Sequence, residues 1–128
     1  MTKFISIMED FEKALDRLEE ALAVEKTEIV RDSCIKRFEI VFDLGWKTLK
    51  AFLQEIHNAS CASPITCFRE AIKIGLIEHD DFWLEVKNIR NLTIPTYNRE
   101  TAEEVYATLP VVLKHFRELY RLMKKENS

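Results

Sequence analysis

The stretch IKRFEIVFDLGWKTLKAFLQEI, residues 35–56, decides the fold of this chain. Its apolar residues recur at alternating steps of three and four, the spacing that places side chains along one face of an α-helix. This stripe consists of Ile35, Phe38, Phe42, Gly45, Leu49, Phe52 and Ile56. Further apolar residues widen it on both sides, namely Val41, Leu44, Trp46 and Leu53. We therefore expect this helix to contact more than one neighbour.

Gly45 is the unusual member of that stripe. Glycine costs about 1 kcal/mol relative to alanine inside a helix, because its backbone loses more freedom on folding. Its place on the inward face predicts that another backbone or an aromatic ring approaches closely there.

The same spacing continues on both sides of this stretch. It predicts a first helix over residues 3–24 and a second that runs from an N-cap at Thr27 to Ile56. A short helix over 64–74 follows the Ser63-Pro64 start signal and stops at Gly75. A fourth helix over 81–93 ends before Pro95, and a fifth starts at an Asn98 N-cap. Pro110 predicts a kink or break in this last helix around residues 107–110.

Composition limits the class of protein. The chain has 128 residues, a net charge of −3 and a pI near 5.7, which argues against a protein that coats DNA without sequence preference. No run approaches eighteen apolar residues, and the start reads as an amphipathic helix rather than a signal peptide. We expect a cytoplasmic protein without a membrane span. Trp46, Trp83 and eight phenylalanines exceed what one small core needs, which predicts a homodimer.

The cysteines are expected to be reduced thiols. Their number, three, is odd, and no CxxC pair is present. His57, Cys61 and Cys67 lack the fourth ligand that a structural zinc site normally needs. The alternative to a zinc site is that Cys34 and Cys67 are small buried thiols and that Cys61 is an unreactive thiol in a loop. No metal or cofactor is expected.

The segment KNIRNLTIPTYN, residues 87–98, interrupts this packing pattern with polar chemistry. Arg90, Asn91 and Tyr97 bring a fixed cation, an amide and a phenol within eight residues. The residues alone leave alternatives open. Arg90 can pair with Glu85, with Asp81 or with an acidic residue elsewhere, Asn91 can cap the helix, and Tyr97 can pack on the bundle. Four basic residues of the second helix are expected to form a solvated flank: Lys36, Arg37, Lys47 and Lys50. Contact with RNA or a nucleotide is the second interpretation of these residues.

Several separated blocks resemble one protein family. They are RFEIVFDLGWKTLK at 37–50, Ser63-Pro64 with FREA at 68–71, GLI at 75–77, WLE at 83–85, and RNLT at 90–93 with Tyr97-Asn98. In this order they are similar to the nucleotidyltransferase substrate-binding protein family, a branch of the HEPN superfamily. The resemblance implies an all-α, antiparallel up-and-down four-helix bundle with one additional short helix, forming a single HEPN-like domain over 1–128. It also implies a homodimer that works with a separately encoded minimal nucleotidyltransferase, often as a toxin–antitoxin pair.

The wider superfamily includes metal-independent ribonucleases with a recognisable motif. An arginine is followed by a polar residue, by a histidine five positions after the arginine, and by a tyrosine two positions further on. Arg90, Asn91 and Tyr97 match, but Pro95 stands at the histidine position and has no group that titrates. His79 and His115 do not replace that histidine in the sequence, because one precedes Arg90 by about three turns and the other is in the next helix.

The resemblance therefore favours a non-catalytic subunit that binds the substrate of a nucleotidyltransferase. Arg90, Asn91 and Tyr97 are the expected substrate-binding residues, and Tyr97 is also a candidate for adenylylation by the partner. The expected partners are the nearby-encoded transferase, a second copy, and a nucleotide or RNA. The alternatives are a HEPN-type ribonuclease toxin that uses Arg90 and a purely structural dimeric bundle.

Overall fold

A computed structural model describes residues 2–93 and 98–127 of the chain. Within these two ranges the protein is entirely helical, with no β-strand, and all the predicted helices form. Their bounds are α1 Lys3–Leu22, α2 Glu28–His57, α3 Pro64–Lys73, α4 Phe82–Leu92 and α5 Arg99–Asn127. None of the helices in this part of the chain has the length and apolar character needed to cross a lipid bilayer.

Side chains that cap the helices fix most of these boundaries. Thr27 accepts a hydrogen bond from the Val30 backbone N–H at 3.1 Å, and Ser63 forms a reciprocal capping box with Thr66 ahead of Pro64. The Asn98 side chain accepts from the N–H groups of the first turn of α5. Gly75, with φ of 80°, provides the left-handed residue just after α3. The predicted start and stop signals are confirmed.

The three long helices build the core of the bundle. The α1–α2 pair shares the most extensive interface, since the short connection after Leu22 makes the two helices antiparallel neighbours. Helix α5 packs across both, and the short helices α3 and α4 cover the remaining side of α2 and α5. This is the predicted up-and-down four-helix bundle with an additional short helix.

Phe116 of α5 lies at the centre of this core and is fully buried. Its ring is in aromatic contact with rings from all the other helices: Phe11 of α1, Phe42 of α2, Phe68 of α3, and Phe82 and Trp83 of α4. A Cβ atom placed on Gly45 would be 2.6 Å from Cε1 of Phe116, well inside van der Waals contact. The predicted close approach of an aromatic ring to Gly45 is therefore confirmed.

Of the kink or break predicted at Pro110, the break is wrong. Helix α5 is continuous from Arg99 to Asn127 with Pro110 inside it. Pro110 is on the exposed side of the helix, whereas Leu109 and Val112 are fully buried. Burial of these apolar neighbours stabilises the helix against the loss of one backbone hydrogen bond.

The prediction of three reduced cysteines is also wrong. Cys61 and Cys67 form a disulfide with their Cα atoms 5.1 Å apart, and Cys34 is the free thiol. The polar connection after α2 folds back onto the first turns of α3, and this brings together two cysteines whose spacing is not that of a CxxC pair. The zinc site considered for His57, Cys61 and Cys67 is thereby excluded. Cys34 is buried as expected, and burial raises the pKa of its thiol.

Replacing Cys61 by serine is expected to lower the free energy of unfolding by about 2 kcal/mol, the loop-entropy value for so small a ring. Urea titration with and without dithiothreitol measures this difference. The exposed neighbour Ser60→Ala is the matched control and should unfold like wild type. A wild type whose stability is the same with and without reductant would contradict the assignment.

Candidate functional site

Arg90 occupies the last turn of α4 and faces α2. Its Nη2 lies 3.5 Å from Oδ2 of Asp43, and its Nη1 donates to Oγ1 of Thr93 at 3.0 Å. The Thr93 hydroxyl in turn donates to the Arg90 carbonyl at 2.7 Å, which closes the end of the helix. Of the alternatives open at the sequence level, the pairing with an acidic residue elsewhere is confirmed, and that residue is Asp43.

The guanidinium of Arg90 is held in place, but its hydrogen-bonding capacity is only partly used. Its side chain is 17% exposed, whereas that of Asp43 is 46% exposed, so the pair lies at the edge of the core. Among the residues that the structure describes, the buried Nε of Arg90 has no hydrogen-bond partner. A pair at 3.5 Å is long for a charge-assisted hydrogen bond. An anion that approaches Nη2 therefore meets a cation that is positioned in advance and only loosely engaged.

The structure describes Asn91 but not Tyr97. Asn91 is exposed, and Thr93 takes the C-cap position with its backbone N–H directed to the carbonyls of Arg90 and Asn91. A capping role for the Asn91 side chain is therefore wrong, and the amide is free to face solvent. Tyr97 and Pro95 lie outside the described residues, so their roles stay predictions.

A row of lysines runs along α2 beside this pair. Lys36, Asp43, Lys47 and Lys50 are separated by seven, four and three residues, so they share one face of the helix. The three lysines are exposed, and we call them the basic flank. Because Asp43 contacts Arg90, the basic flank and the end of α4 form one positively charged surface.

The histidines are placed away from Arg90. The Nε2 atom of His115 lies 3.1 Å from Asp80, and its ring stacks on Phe82 with centroids 3.8 Å apart. Phe82 begins α4, and Arg90 lies in the last turn of the same helix, about 12 Å away along the helix axis. His57 pairs with Glu126 near the C-terminus of α5. The arrangement gives Arg90 no proton-transfer partner among these histidines.

Asp80 belongs to the start of α4 rather than to the site. Its carboxylate accepts a hydrogen bond from the Phe82 backbone N–H at 2.9 Å. This bond, followed by the bond with His115, holds the pKa of Asp80 below its usual value. The side chain that caps α4 is thus Asp80.

Sequence reasoning missed Asp43 and Thr93 as parts of the site. Asp43 interrupts the apolar surface of α2 at a half-exposed position, and only the fold shows that it faces Arg90. Thr93 follows Arg90 by three residues, a spacing that allows the contact on a helix. In residues 2–93 and 98–127, no group of three or more histidine, cysteine, aspartate or glutamate side chains is arranged to hold a metal ion.

The fold and the site define an all-α bundle in which a positioned arginine lies beside a basic helix face. The chain belongs to the family described as nucleotidyltransferase substrate binding protein like, whose model matches residues 7–125. The curated relative "Probable ribonuclease HepT" from Haemophilus influenzae is 31% identical over 110 residues, covering 78% of this chain and 74% of that protein. The predicted family resemblance is confirmed.

Solved structures show the same fold. A protein from Thermus thermophilus is 34% identical, with a TM-score of 0.83 over 88% of this chain and 98% of that one. A Haemophilus influenzae protein, described as having the fold of a substrate binding domain of a nucleotidyltransferase, is 22% identical with a TM-score of 0.78. The alignment covers 91% of this chain and 98% of that protein.

Proposed function

We propose that this protein is the substrate-binding subunit of a separately encoded minimal nucleotidyltransferase, and that the two form a two-gene, toxin–antitoxin-like system. The observation that carries the proposal is the loose Arg90–Asp43 pair beside the basic flank. Membership in the substrate-binding family supports it.

The ligand of this site is proposed to be the phosphate of a nucleotide or of RNA. A phosphate oxygen can replace the Asp43 carboxylate on Nη2 of Arg90, where it accepts a charge-assisted hydrogen bond. Lys47 and Lys50 add positive charge on the same face of α2. Thr93 keeps the guanidinium in place while its partner changes, so little side-chain freedom is lost on binding.

Two substitutions are expected to change phosphate binding in opposite directions. Arg90→Ala removes the main donor and should weaken the binding of ATP by about tenfold or more. Asp43→Asn keeps the shape but removes the competing negative charge, so it should tighten binding. Isothermal titration with ATP measures both effects.

The matched control for this experiment is Arg69→Ala. Arg69 is an exposed arginine on α3, outside both the Arg90–Asp43 pair and the basic flank, and its loss should leave ATP affinity unchanged. If Arg90→Ala binds ATP as wild type does, or if Arg69→Ala weakens binding equally, the proposed site is wrong.

Tyr97 is proposed as an acceptor of adenylyl groups from the transferase. Its phenol follows Arg90 by seven residues in the chain, and adenylylation would add a phosphate diester to a segment next to the site. Mass spectrometry of the protein after co-expression with the active transferase checks this. An unmodified Tyr97 in that experiment would rule the role out.

A ribonuclease activity is the second candidate, because one relative is named as a probable ribonuclease. Acid–base cleavage of RNA needs a group that transfers protons near neutral pH, and Pro95 occupies the motif position where a histidine would supply it. We therefore expect no cleavage of single-stranded RNA by the purified protein. Cleavage that disappears in Arg90→Ala would replace the binding role with a catalytic one.

A homodimer is proposed as the assembled form. Large apolar side chains remain exposed outside the core, among them Ile56 and Leu92. Sedimentation velocity at micromolar concentration tests this, and a monomer throughout would contradict it.

A further inference from the structure

A long groove follows the α1–α2 pair. Two cavities of about 570 Å³ and 530 Å³ open between these helices, and a third of about 230 Å³ lies at the end near the connection. On α1 the lining runs from Lys3 to Ala21, about 27 Å along the helix axis. Arg117 of α5 pairs with Asp16 and Glu19 on the other flank of α1, so α5 leaves the groove uncovered. We call this surface the α1–α2 groove.

The floor of the α1–α2 groove is mainly aliphatic, and the half-buried Trp46 of α2 also lines it. Ile7, Ala14, Ile40, Leu44 and Ala51 line it from the two helices. Ile40 is 44% exposed, which is high for an isoleucine in the middle of a long helix. A mainly aliphatic floor between two antiparallel helices is a shape that accepts the apolar face of a third helix.

The rim of the α1–α2 groove is mainly positive. Its cations are Lys3, Lys13, Arg17, Lys36, Arg37, Lys47 and Lys50, and its carboxylates are Asp10, Glu20 and Glu55. The Glu55 carboxylate already accepts the Phe4 backbone N–H at the start of α1. The rim has this surplus of positive charge although the net charge of the whole chain is −3.

Most of these cations have no carboxylate close to them. Lys36 lies 3.5 Å from Glu39, and for the other rim cations the described part of the chain provides no acidic group within 4 Å. By contrast, several arginines outside the groove lie within 4 Å of a carboxylate: Arg31, Arg99, Arg117 and Arg121. The rim therefore offers charges that the fold itself does not neutralise.

We infer that the α1–α2 groove receives an amphipathic helix with acidic flanks from the partner protein, which under the proposed function is the nucleotidyltransferase. A helix of about twenty residues matches the length of the groove. Its apolar stripe would cover Ile40 and Leu44, and its carboxylates would pair with Lys13, Arg17 and Arg37.

Two other occupants fit the groove less well. A second copy of the chain, laid groove to groove, would set the same unpaired cations against each other. Single-stranded RNA would find one aromatic ring, Trp46, in the lining of these cavities, whereas bases bind along a strand by stacking on successive aromatic rings. The rim carboxylates Asp10 and Glu20 would also repel its phosphates.

The experiment first uses a synthetic peptide of about twenty residues, the length that spans the groove as a helix, with leucines at helical three-four spacing and glutamates elsewhere. Fluorescence anisotropy should show saturable binding to wild type, and about tenfold or more weaker binding to Lys13→Glu/Arg37→Glu and to Ile40→Glu. Ile29→Glu is the matched control, because Ile29 is 82% exposed on α2 outside the groove and its variant should bind normally. Circular dichroism on every variant verifies the fold.

The second part replaces the peptide with the purified nucleotidyltransferase. We expect the same groove variants to lose binding while Arg90→Ala retains it. A transferase that binds wild type and groove variants equally overturns the inference and leaves the proposed function intact. A transferase that binds no form, while the peptide still binds the groove, overturns the proposed function alone.

The remaining outcomes contradict the inferred occupant directly. If no binding of the peptide occurs, the groove does not accept an acidic helix. A wild-type dimer that Ile40→Glu converts to monomer assigns the groove to a second copy. The groove is assigned to RNA if single-stranded RNA binds wild type and Arg90→Ala equally well but does not bind Lys13→Glu/Arg37→Glu.

Discussion

Replacing Phe116 by alanine is expected to lower the free energy of unfolding by about 3–5 kcal/mol, the range measured for large aromatic residues in cores. The ring is fully buried and contacts rings on the four other helices. Removing it leaves a cavity at the one point where all the helices meet, and neighbouring rings cannot close it without moving several helices at once. Urea or thermal unfolding followed by circular dichroism measures the loss.

The control for this substitution is Val111→Ala on the same helix. Val111 is 53% exposed, so its truncation should change stability by less than about 0.5 kcal/mol. A loss for Phe116→Ala of the same size as the control would mean that Phe116 is not central to the core. Phe82 and Trp83 contact Phe116 from α4, so this variant should also loosen the helix that carries Arg90.

Gly45→Ala is expected to destabilise the protein by up to about 2 kcal/mol, although alanine is the better helix former. The added methyl would lie 2.6 Å from one atom of the Phe116 ring and 2.7 Å from another. Moving a packed ring costs about 1–3 kcal/mol, and the helix propensity of alanine offsets about 1 kcal/mol of that.

A double-mutant cycle separates these two effects. In the Phe116→Ala background the contacts with the Phe116 ring are gone, and the next neighbour of the added methyl is the Phe11 ring at 3.3 Å. Gly45→Ala should therefore cost much less there, and its coupling energy with position 116 should exceed about 1 kcal/mol. Gln54→Ala, an exposed substitution on α2, should show the same small effect in both backgrounds. An equal cost of Gly45→Ala in the two backgrounds would show that Phe116 is not the obstacle.

The helices could be predicted because their signals are local. Apolar residues at three-four spacing define the buried stripes of α1, α2 and α5, and every position of the α5 stripe from Ala102 to Met123 is buried. Thr27, Ser63 and Asn98 mark helix starts through bonds to residues two or three positions away. Gly45 signalled a close contact because glycine has no local advantage inside a helix.

The errors arose where contacts are not local or where tertiary packing outweighs propensity. The disulfide between Cys61 and Cys67 depends on how the connection folds back, which spacing alone does not determine. Pro110 is tolerated because the burial of its neighbours offsets a local penalty.

The candidate site was predictable only in part. Arg90 stands out by its position before a proline, and the structure gives it a constrained setting. Its partner Asp43 is 47 residues away in the chain, and no local rule connects the two. Asn91 proved to be an exposed side chain rather than a cap. Tyr97 remains a prediction from family resemblance.

The separation of charge on this molecule affects how it meets other molecules. Unpaired cations gather along α1 and α2, while an acidic chain overall leaves excess negative charge on other faces. The electric field of an approaching anionic surface rotates a protein with this charge separation before contact. More encounters therefore begin in an orientation that allows binding. Salt screens these exposed charges over about 8–10 Å. Ionic strength should therefore act mainly on the rate of association, and much less on the lifetime of the complex once apolar surfaces have met.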